Sequence, residues 1–405
     1  MKIAILASSF PRYSGDYQGN FIYHHAYGQV LLGNEVHVIC PHVPESPFYD
    51  VIDGIKVHRF PYFYPFRLQC LTSETGMYSA LRQSPLAVFQ LPLFCICMLY
   101  LTNRIIIRYD IDIIHSHWLI PQGLVGMIAR KLRNIPHVLS SHGIDAQIFS
   151  RWPVLIPVLK LILSGTDVLT TNSTYTKKVI TKLSPVSRPV RVIPMGVLPS
   201  QQVSQKKIIS DEITILFVGR LIPWKGVDTL IKAMVHVLEK YPLAIISIVG
   251  DGPERVRLKS LAQDLGISGR VQFLGRVDEF RLSELYSNAS VFILPSRSYQ
   301  GMVMEGLGVV LLEAMSHGVP VIGSNVGGIP DIITDGENGF IFPCEDDRLL
   351  AEKIMVLLED SFLKEQFRIA GYRTVRIKFS WEIISRKFSD IYRELLKQYS
   401  WGGSA

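Results

Sequence analysis

The sequence predicts an α/β protein built from two successive doubly wound units, each a largely parallel sheet with helices on both faces. Three observations predict it. Short β-branched runs alternate with helical stretches, and the alternation starts afresh near residue 213. Between the two series lies a polar, aperiodic segment, 200–212. The chain's 405 residues also exceed what one hydrophobic core usually holds.

In the first series Lys2–Ala7, Glu35–Cys40, Ile55–Phe60, Asp112–His117, His137–Ser141, Asp167–Thr171 and Val190–Ile193 read as strands. Helical stretches fall between them at Phe21–Leu32, Gly123–Leu132 and Ser173–Leu183. The second series has strands at Ile213–Val218, Leu243–Val249, Arg270–Leu274, Val291–Leu294, Val319–Ile322 and Gly339–Phe342. Its helices include Val227–Lys240 and Pro253–Leu265, and the chain from Asp346 to Tyr399 is almost wholly helical. The expected division is a first domain over 1–199, a linker over 200–212, a second domain over 213–378 and a closing helix over 379–400. Two such domains in succession predict a cleft between them, with ligands at the carboxyl ends of the strands.

The net charge of +7 is unevenly placed: residues 1–199 carry 18 Lys and Arg against 10 Asp and Glu, the remainder 24 against 25. A basic first half suits phosphorylated substrates or an anionic membrane. No basic tail or RNA-binding motif accompanies it, so nucleic acid is disfavoured as a partner. Five cysteines, without a Cys-x-x-Cys pair, argue against disulfides and structural zinc and fit a reducing cytoplasm. The first apolar run is a strand, too short for a signal peptide. Leu86–Leu101 holds Gln90 as its one obvious polar residue, but Pro92 interrupts it and it falls short of the ~20 residues of a spanning helix. A buried helix, or one dipping into a bilayer face, is expected there. Just upstream, Arg59-Phe-Pro-Tyr-Phe-Tyr-Pro-Phe-Arg67 sets aromatics between arginines, as a packed loop or an interfacial anchor would.

The chemistry concentrates in the second half. Glu305 and Glu313 stand eight apart, one at the mouth of a short apolar helix and one inside it. So placed, two carboxylates can grip hydroxyl-rich groups flanking a diphosphate, the shape of a nucleotide-sugar, while N–H groups at the helix start (Gly308, Val309) favour the phosphates. Phe217-Val-Gly219-Arg220 ends a strand, and Lys225-Gly226 precedes a helix. Arg220 and Lys225 there suit a diphosphate, the first bidentately and the second as a point charge. Ile248-Val-Gly250-Asp-Gly-Pro253 ends the next strand and suits a nucleobase pocket, although alone it is a common turn. No Asp-x-Asp type pair stands ready for a metal.

These motifs, in this order and followed by Ser324-Asn-Val-Gly-Gly-Ile-Pro330, resemble the retaining glycosyltransferases of family 4. The resemblance extends over essentially the whole chain and is most specific in 213–342. It implies the GT-B fold, two Rossmann-like domains facing a central cleft, with the last helix crossing back to the first domain. It implies that Arg220 and Lys225 bind the donor diphosphate, that Glu305 holds sugar hydroxyls and that Glu313 holds the ribose. Ser140-Ser-His142-Gly143-Ile-Asp145 resembles the family's His-Gly-x-Asp stretch, whose histidine lies beside the reacting sugar. Asp112-Ile-Ile-His115-Ser-His117-Trp118 resembles the family too, its histidines lining the cleft floor; His24-His25 carries no assignment. The family's first loop often has adjacent glycines, whereas here Gly15 and Gly19 are separated, and Gly19 is the better candidate for donor contact. The implied reaction transfers a hexose-type sugar from a nucleotide diphosphate donor to an acceptor hydroxyl of a glycan or lipid-linked sugar, with retention and without metal or other cofactor. Glycan, glycolipid or cell-surface polysaccharide synthesis is the expected setting, in the cytoplasm and on the inner face of an anionic membrane. The alternatives are a nucleotide-sugar epimerase on the same fold and a non-catalytic membrane-associated scaffold.

Overall fold

A computed structural model describes residues 1–13, 16, 19–44, 46–72, 77–185, 188, 190–200 and 213–402. The chain divides into two units. The first takes Met1–Asn172, Thr176–Ile193 and the stretch from Trp381 onward; the second takes Ser173–Tyr175 and Pro194–Ser380.

The first unit is an eight-stranded sheet of β1 (Lys2–Leu6), β2 (Glu35–Pro41), β3 (Tyr49–Ile52), β4 (Ile55–Phe60), β5 (Ile113–His117), β6 (His137–Ser141), β7 (Val168–Thr171) and β8 (Val190–Val192). Their spatial order is β3-β4-β2-β1-β5-β6-β7-β8, parallel except for β3 against β4. Its central strand explains its apolar run. Ile3 and Ile5 pack with Ile22 and Ala26 of the Asn20–Leu31 helix and with Ile384 and Ile391 of the Trp381–Gly402 helix. Ala4 and Leu6 face the other way, onto Phe94, Met98 and Ile105 of the Pro85–Tyr109 helix. Both faces are covered, so alternation vanishes and every residue from Ile3 to Leu6 is apolar and buried.

The second unit is a six-stranded parallel sheet in the order β11-β10-β9-β12-β15-β16, with β9 (Thr214–Val218), β10 (Ile245–Val249), β11 (Val271–Gly275), β12 (Val291–Leu294), β15 (Val321–Ser324) and β16 (Phe340–Phe342). A hairpin of β13 (Ser298–Tyr299) and β14 (Met302–Val303) stands apart. Helices Asp347–Glu359 and Ser361–Thr374 follow.

One domain boundary and one helix differ from the sequence reading. Residues 194–199 belong to the second unit rather than the first, because Val197 is buried in that core and its N–H donates to the Phe379 carbonyl at 2.8 Å. Residues 201–212 of the expected linker lie outside the described residues. The apolar stretch around Pro92 is not cut short: one helix runs from Pro85 to Tyr109. Pro92 faces outward on it, where water can meet the carbonyl left unpaired by its missing N–H. Strand β3 was not anticipated, although Asp53-Gly54, both at positive φ (49° and 82°), is the two-residue turn that joins it to β4.

Candidate functional site

The second unit builds its polar site where strands end and glycines let backbones touch. After β9, Gly219 donates to the Val249 carbonyl at 3.0 Å. Gly250, at φ 118°, sits so close that a Cβ there would lie 2.0 Å from the Gly219 carbonyl oxygen. The two predicted glycines therefore serve each other: their mutual approach brings two strand ends together. Arg220 follows, exposed and without an ion pair among the described residues.

Lys225 lies in the short turn Pro223–Lys225, which Arg297 braces by donating from Nε to the Pro223 carbonyl at 3.0 Å and from its N–H to the Trp224 carbonyl at 2.9 Å. Arg297 is itself anchored to Asp228, 3.2 Å away. The turn aims Lys225 Nζ at Glu305 Oε2, 2.6 Å away, and Ser296 Oγ donates to the same oxygen at 2.7 Å. Glu305 is 8 % exposed, so this carboxylate is removed from water and held by two donors.

Glu305 is fixed from behind by its backbone. Gly328 N–H donates to the Glu305 carbonyl at 3.3 Å. A Cβ on Gly327 would lie 2.0 Å from that same oxygen, and one on Gly328 would lie 2.3 Å from the Gly306 oxygen. The Ser324–Pro330 stretch thus owes its glycines to a backbone-on-backbone contact that sets the glutamate. Gly308, at φ 91°, starts helix Val309–Ser316 without a side-chain cap, leaving the N–H groups of Val309 and Val310 with no intrahelical acceptor. Glu313 lies one turn on. Its Oε2 accepts from the fully buried Tyr286 hydroxyl at 2.8 Å, and burial raises its pKa. Glu313 Oε1 has no protein partner among the described residues.

In the first unit His142 follows β6, with its chain turned by Gly143 at φ 99°. Buried Asp145 organises this turn, its Oδ1 accepting from Ser141 Oγ (2.8 Å) and the N–H groups of His142, Gly143 and Ala146 (3.1, 3.0 and 3.1 Å). Its Oδ2 accepts from Leu119 N–H at 2.9 Å. Burial pushes the Asp145 pKa up against those hydrogen bonds. His142 Nε2 lies 3.0 Å from His117 Nδ1, with the rings stacked 5.2 Å apart, and Phe21 packs on His142 at 4.9 Å. Burial holds the His142 pKa down at about 3 and that of His117 well below its ordinary value, so both rings are neutral.

That neutrality has a consequence. A neutral imidazole carries one N–H. Whichever ring donates across the 3.0 Å contact, the accepting ring carries its own proton on the far nitrogen, His117 Nε2 or His142 Nδ1. Both atoms are buried without a partner. One buried donor therefore remains for a ligand.

Behind it, His115 Nδ1 and His25 Nε2 share the Tyr392 hydroxyl at 2.6 and 3.0 Å. His25, His115 and His117 present ring nitrogens within 4.8 Å of one another, the one set among the described residues that could hold a metal ion. Gly19 starts the Asn20–Leu31 helix in the left-handed region (φ 70°), where a Cβ would lie 2.7 Å from the Ser9 carbonyl oxygen. Gly15 lies outside the described residues.

Of the predicted residues, the structure brings Lys225 onto Glu305, Gly219 onto Gly250, and Gly308 and Val309 to one helix start; neither Arg220 nor Glu313 bonds to that ion pair among the described residues. Sequence reasoning missed Ser296, Arg297, Tyr286 and the role of His117. Asp145 three residues after His142, and an arginine three residues after the Val291–Leu294 strand, were the available signals.

Residues 200–374 match the family model described as glycosyl transferases group 1, and residues 18–201 match that of glycosyltransferase family 4. A GDP-mannose-dependent alpha-(1-6)-phosphatidylinositol monomannoside mannosyltransferase of Mycobacterium tuberculosis is 30% identical over 301 residues, 72% of this chain and 78% of that protein. N-acetyl-alpha-D-glucosaminyl L-malate synthase of Bacillus anthracis is 26% identical over 354 residues, 85% of this chain and 90% of that protein. Among solved structures, sucrose-phosphate synthase of Thermosynechococcus elongatus superposes with a TM-score of 0.76 at 23% identity, covering 98% of this chain and 100% of that one. An Anabaena protein solved with UDP-glucose superposes at 0.70 and 19% identity, covering 97% and 100%. The chain has the GT-B fold of these neighbours.

Proposed function

Because the chain belongs to glycosyltransferase family 4, and is thus a glycosyltransferase, we propose that it moves a hexose from a nucleotide diphosphate sugar to an acceptor hydroxyl with retention at the anomeric carbon. The observation that carries this reading is the Lys225–Glu305 ion pair beside the uncapped start of the Val309–Ser316 helix. It sets a hydroxyl acceptor next to phosphate donors, as a sugar joined to a diphosphate requires.

Lys225, Arg220 and the first helical N–H groups neutralise the diphosphate as charge develops on it, where stabilisation most accelerates the step. Glu305 accepts from hydroxyls of the sugar, and Glu313 Oε1 accepts from the ribose while Tyr286 holds Oε2. Gly219, Gly250 and Gly19 keep backbone close to the donor. The spare N–H of the His117–His142 pair donates to a hydroxyl of the sugar or acceptor. The bond from the anomeric carbon to the phosphate oxygen breaks, that to the acceptor oxygen forms on the same face, and the departing oxygen takes the acceptor proton. No metal or other cofactor enters this scheme. A GDP-mannose-dependent relative and neighbours solved with UDP or UDP-glucose support a nucleotide-sugar donor. The relative's lipid acceptor supports a glycan or lipid-linked sugar and a cytoplasmic enzyme peripheral on the inner membrane face.

Thermal shifts with a panel of nucleotide-sugars identify the donor, since a ligand bound to the native state raises the melting point. NMR of the product then reads the anomeric configuration. Inversion, an isomer formed from donor alone, or loss of the rate in EDTA would each overturn part of this reading.

A further inference from the structure

We propose that the outer face of the Pro85–Tyr109 helix, with Leu132 beside it, lies in the headgroup interface of an anionic bilayer. This gives a specific surface to the peripheral location proposed above, and it does not depend on the sugar chemistry.

The helix is apolar on both sides, but among the described residues only one side is packed against the protein. Ala87, Phe94, Met98 and Ile105 are buried against the sheet. Opposite them Leu86, Phe89, Leu93, Ile96, Tyr100 and Ile107 are exposed, five of them at alternating three- and four-residue spacing along a single stripe. Phe89, Ile96, Tyr100 and Ile107 are 63–65 % exposed, and Leu132 of the neighbouring Leu124–Arg133 helix is 61 % exposed. Between the two helices runs a groove of about 430 Å³, lined by Ile96, Leu99, Tyr100, Asn103, Leu132 and Arg133. Its size and apolar walls suit part of an acyl chain.

Charge chooses the occupant. Neither Met77–Tyr109 nor Leu124–Arg133 contains an Asp or Glu. Arg82, Arg104, Arg108, Lys131 and Arg133 are exposed around the stripe, and Asp110, which ends the helix, is the first carboxylate after it. Two copies of so basic a face repel, whereas anionic headgroups neutralise it. An apolar stripe rimmed by arginines and carrying aromatic rings is the pattern of a helix lying in the interface plane.

The helix is long and apolar enough to cross a membrane, but its inner face argues that it lies along one. Buried Gln90 donates to the Leu68 carbonyl at 2.8 Å and accepts from Cys70 N–H at 3.1 Å. Insertion would break both bonds and uncover Ala4 and Leu6 of the central strand.

Co-sedimentation with vesicles of mixed phosphatidylcholine and phosphatidylglycerol tests this. The wild type is expected to bind at low salt, Phe89→Asp/Ile96→Asp at least ~10-fold more weakly. Arg104→Gln/Arg108→Gln is expected to weaken binding and flatten its salt dependence. Stabilisation by a nucleotide-sugar should be unchanged in both variants, so failure of the docking face and failure of the donor reading appear in different measurements. A wild type that ignores anionic vesicles, or an aspartate variant that binds them equally, overturns the proposal. So does a vesicle-blind dimer that the aspartates split, which would make the stripe a contact between copies.

Discussion

Replacing Lys225 with methionine strips Glu305 of its cation. The pair lies at 2.6 Å with side chains only 17 % and 9 % exposed, and Ser296 is then the one side-chain donor left to the carboxylate among the described residues. Breaking a buried pair from one side typically costs 3–5 kcal/mol. The surviving Ser296 bond puts this case near the lower end, about 3 kcal/mol, or a fall of roughly 6–12 °C in the melting point of a unit this size. The double variant Lys225→Met/Glu305→Gln removes both charges, and its stability should return to within about 1 kcal/mol of wild type. Activity should not return with it. Each single variant and the double variant should lose more than ~10-fold in kcat/KM, about 1.4 kcal/mol of transition-state stabilisation. Thermal unfolding and steady-state kinetics on the same four proteins separate the two effects. A single variant that keeps more than about a tenth of wild-type kcat/KM refutes the catalytic assignment, and a double variant with recovered kinetics would make the pair a structural one.

Asp145→Ala should destabilise the first unit by about 3 kcal/mol, since three buried N–H groups, the part-buried His142 N–H and the Ser141 hydroxyl lose their acceptor; chemical denaturation measures it, and Asp145→Asn should recover part. Gly327→Ala drives a Cβ to within 2.0 Å of the Glu305 carbonyl, so kcat/KM should fall more than ~10-fold even where circular dichroism shows a folded protein. Acid should destabilise the first unit well above the range of carboxylate titration. His25 and His142 are held down at about 3, so between there and about 6.5 the unfolded state binds more protons than the folded one. Each such imidazole should remove roughly 2 kcal/mol between about pH 7 and pH 5, and an unfolding free energy flat over that interval would contradict the buried neutral cluster. Glu313 has the opposite sign: its raised pKa opposes stability once the pH climbs above the unfolded carboxyl value, so Glu313→Gln should be no less stable than wild type at neutral pH while binding donor more weakly.

Much of the fold was legible because its sheets are buried on both faces. Ile3–Leu6 or Val291–Leu294 leave little alternative to a central strand when no polar residue interrupts them. The Pro85–Tyr109 helix was not legible because a proline reads as a breaker in sequence, whereas here Pro92 and Val88, whose carbonyl loses its partner, both lie on the exposed side. Around the site, Arg220, Lys225, Glu305 and Glu313 were legible as charges at strand and helix ends. Ser296, Arg297 and Tyr286 were not, because each acts on a residue 9, 74 or 27 positions away and only the tertiary fold brings them together. The same holds for His117, whose partner lies across two neighbouring strands of the sheet.

The helix from Trp381 bears on how the protein is born. It supplies Tyr392 to the histidine cluster and Ile384 and Ile391 to the core beneath β1, yet it is translated after the whole of Pro194–Ser380. At 5–20 residues per second a ribosome needs roughly 10–40 s to cross that interval. Until it ends the first sheet waits with the face over Ile3 and Ile5 covered by the Asn20–Leu31 helix but not by the Trp381–Gly402 helix, and with Tyr392 missing from its histidines, whereas at its close the second unit has every strand it needs. The N-terminal half of this chain is therefore the last to mature, and a nascent chain stalled before Trp381 should hold a protease-resistant second unit beside a protease-sensitive first one.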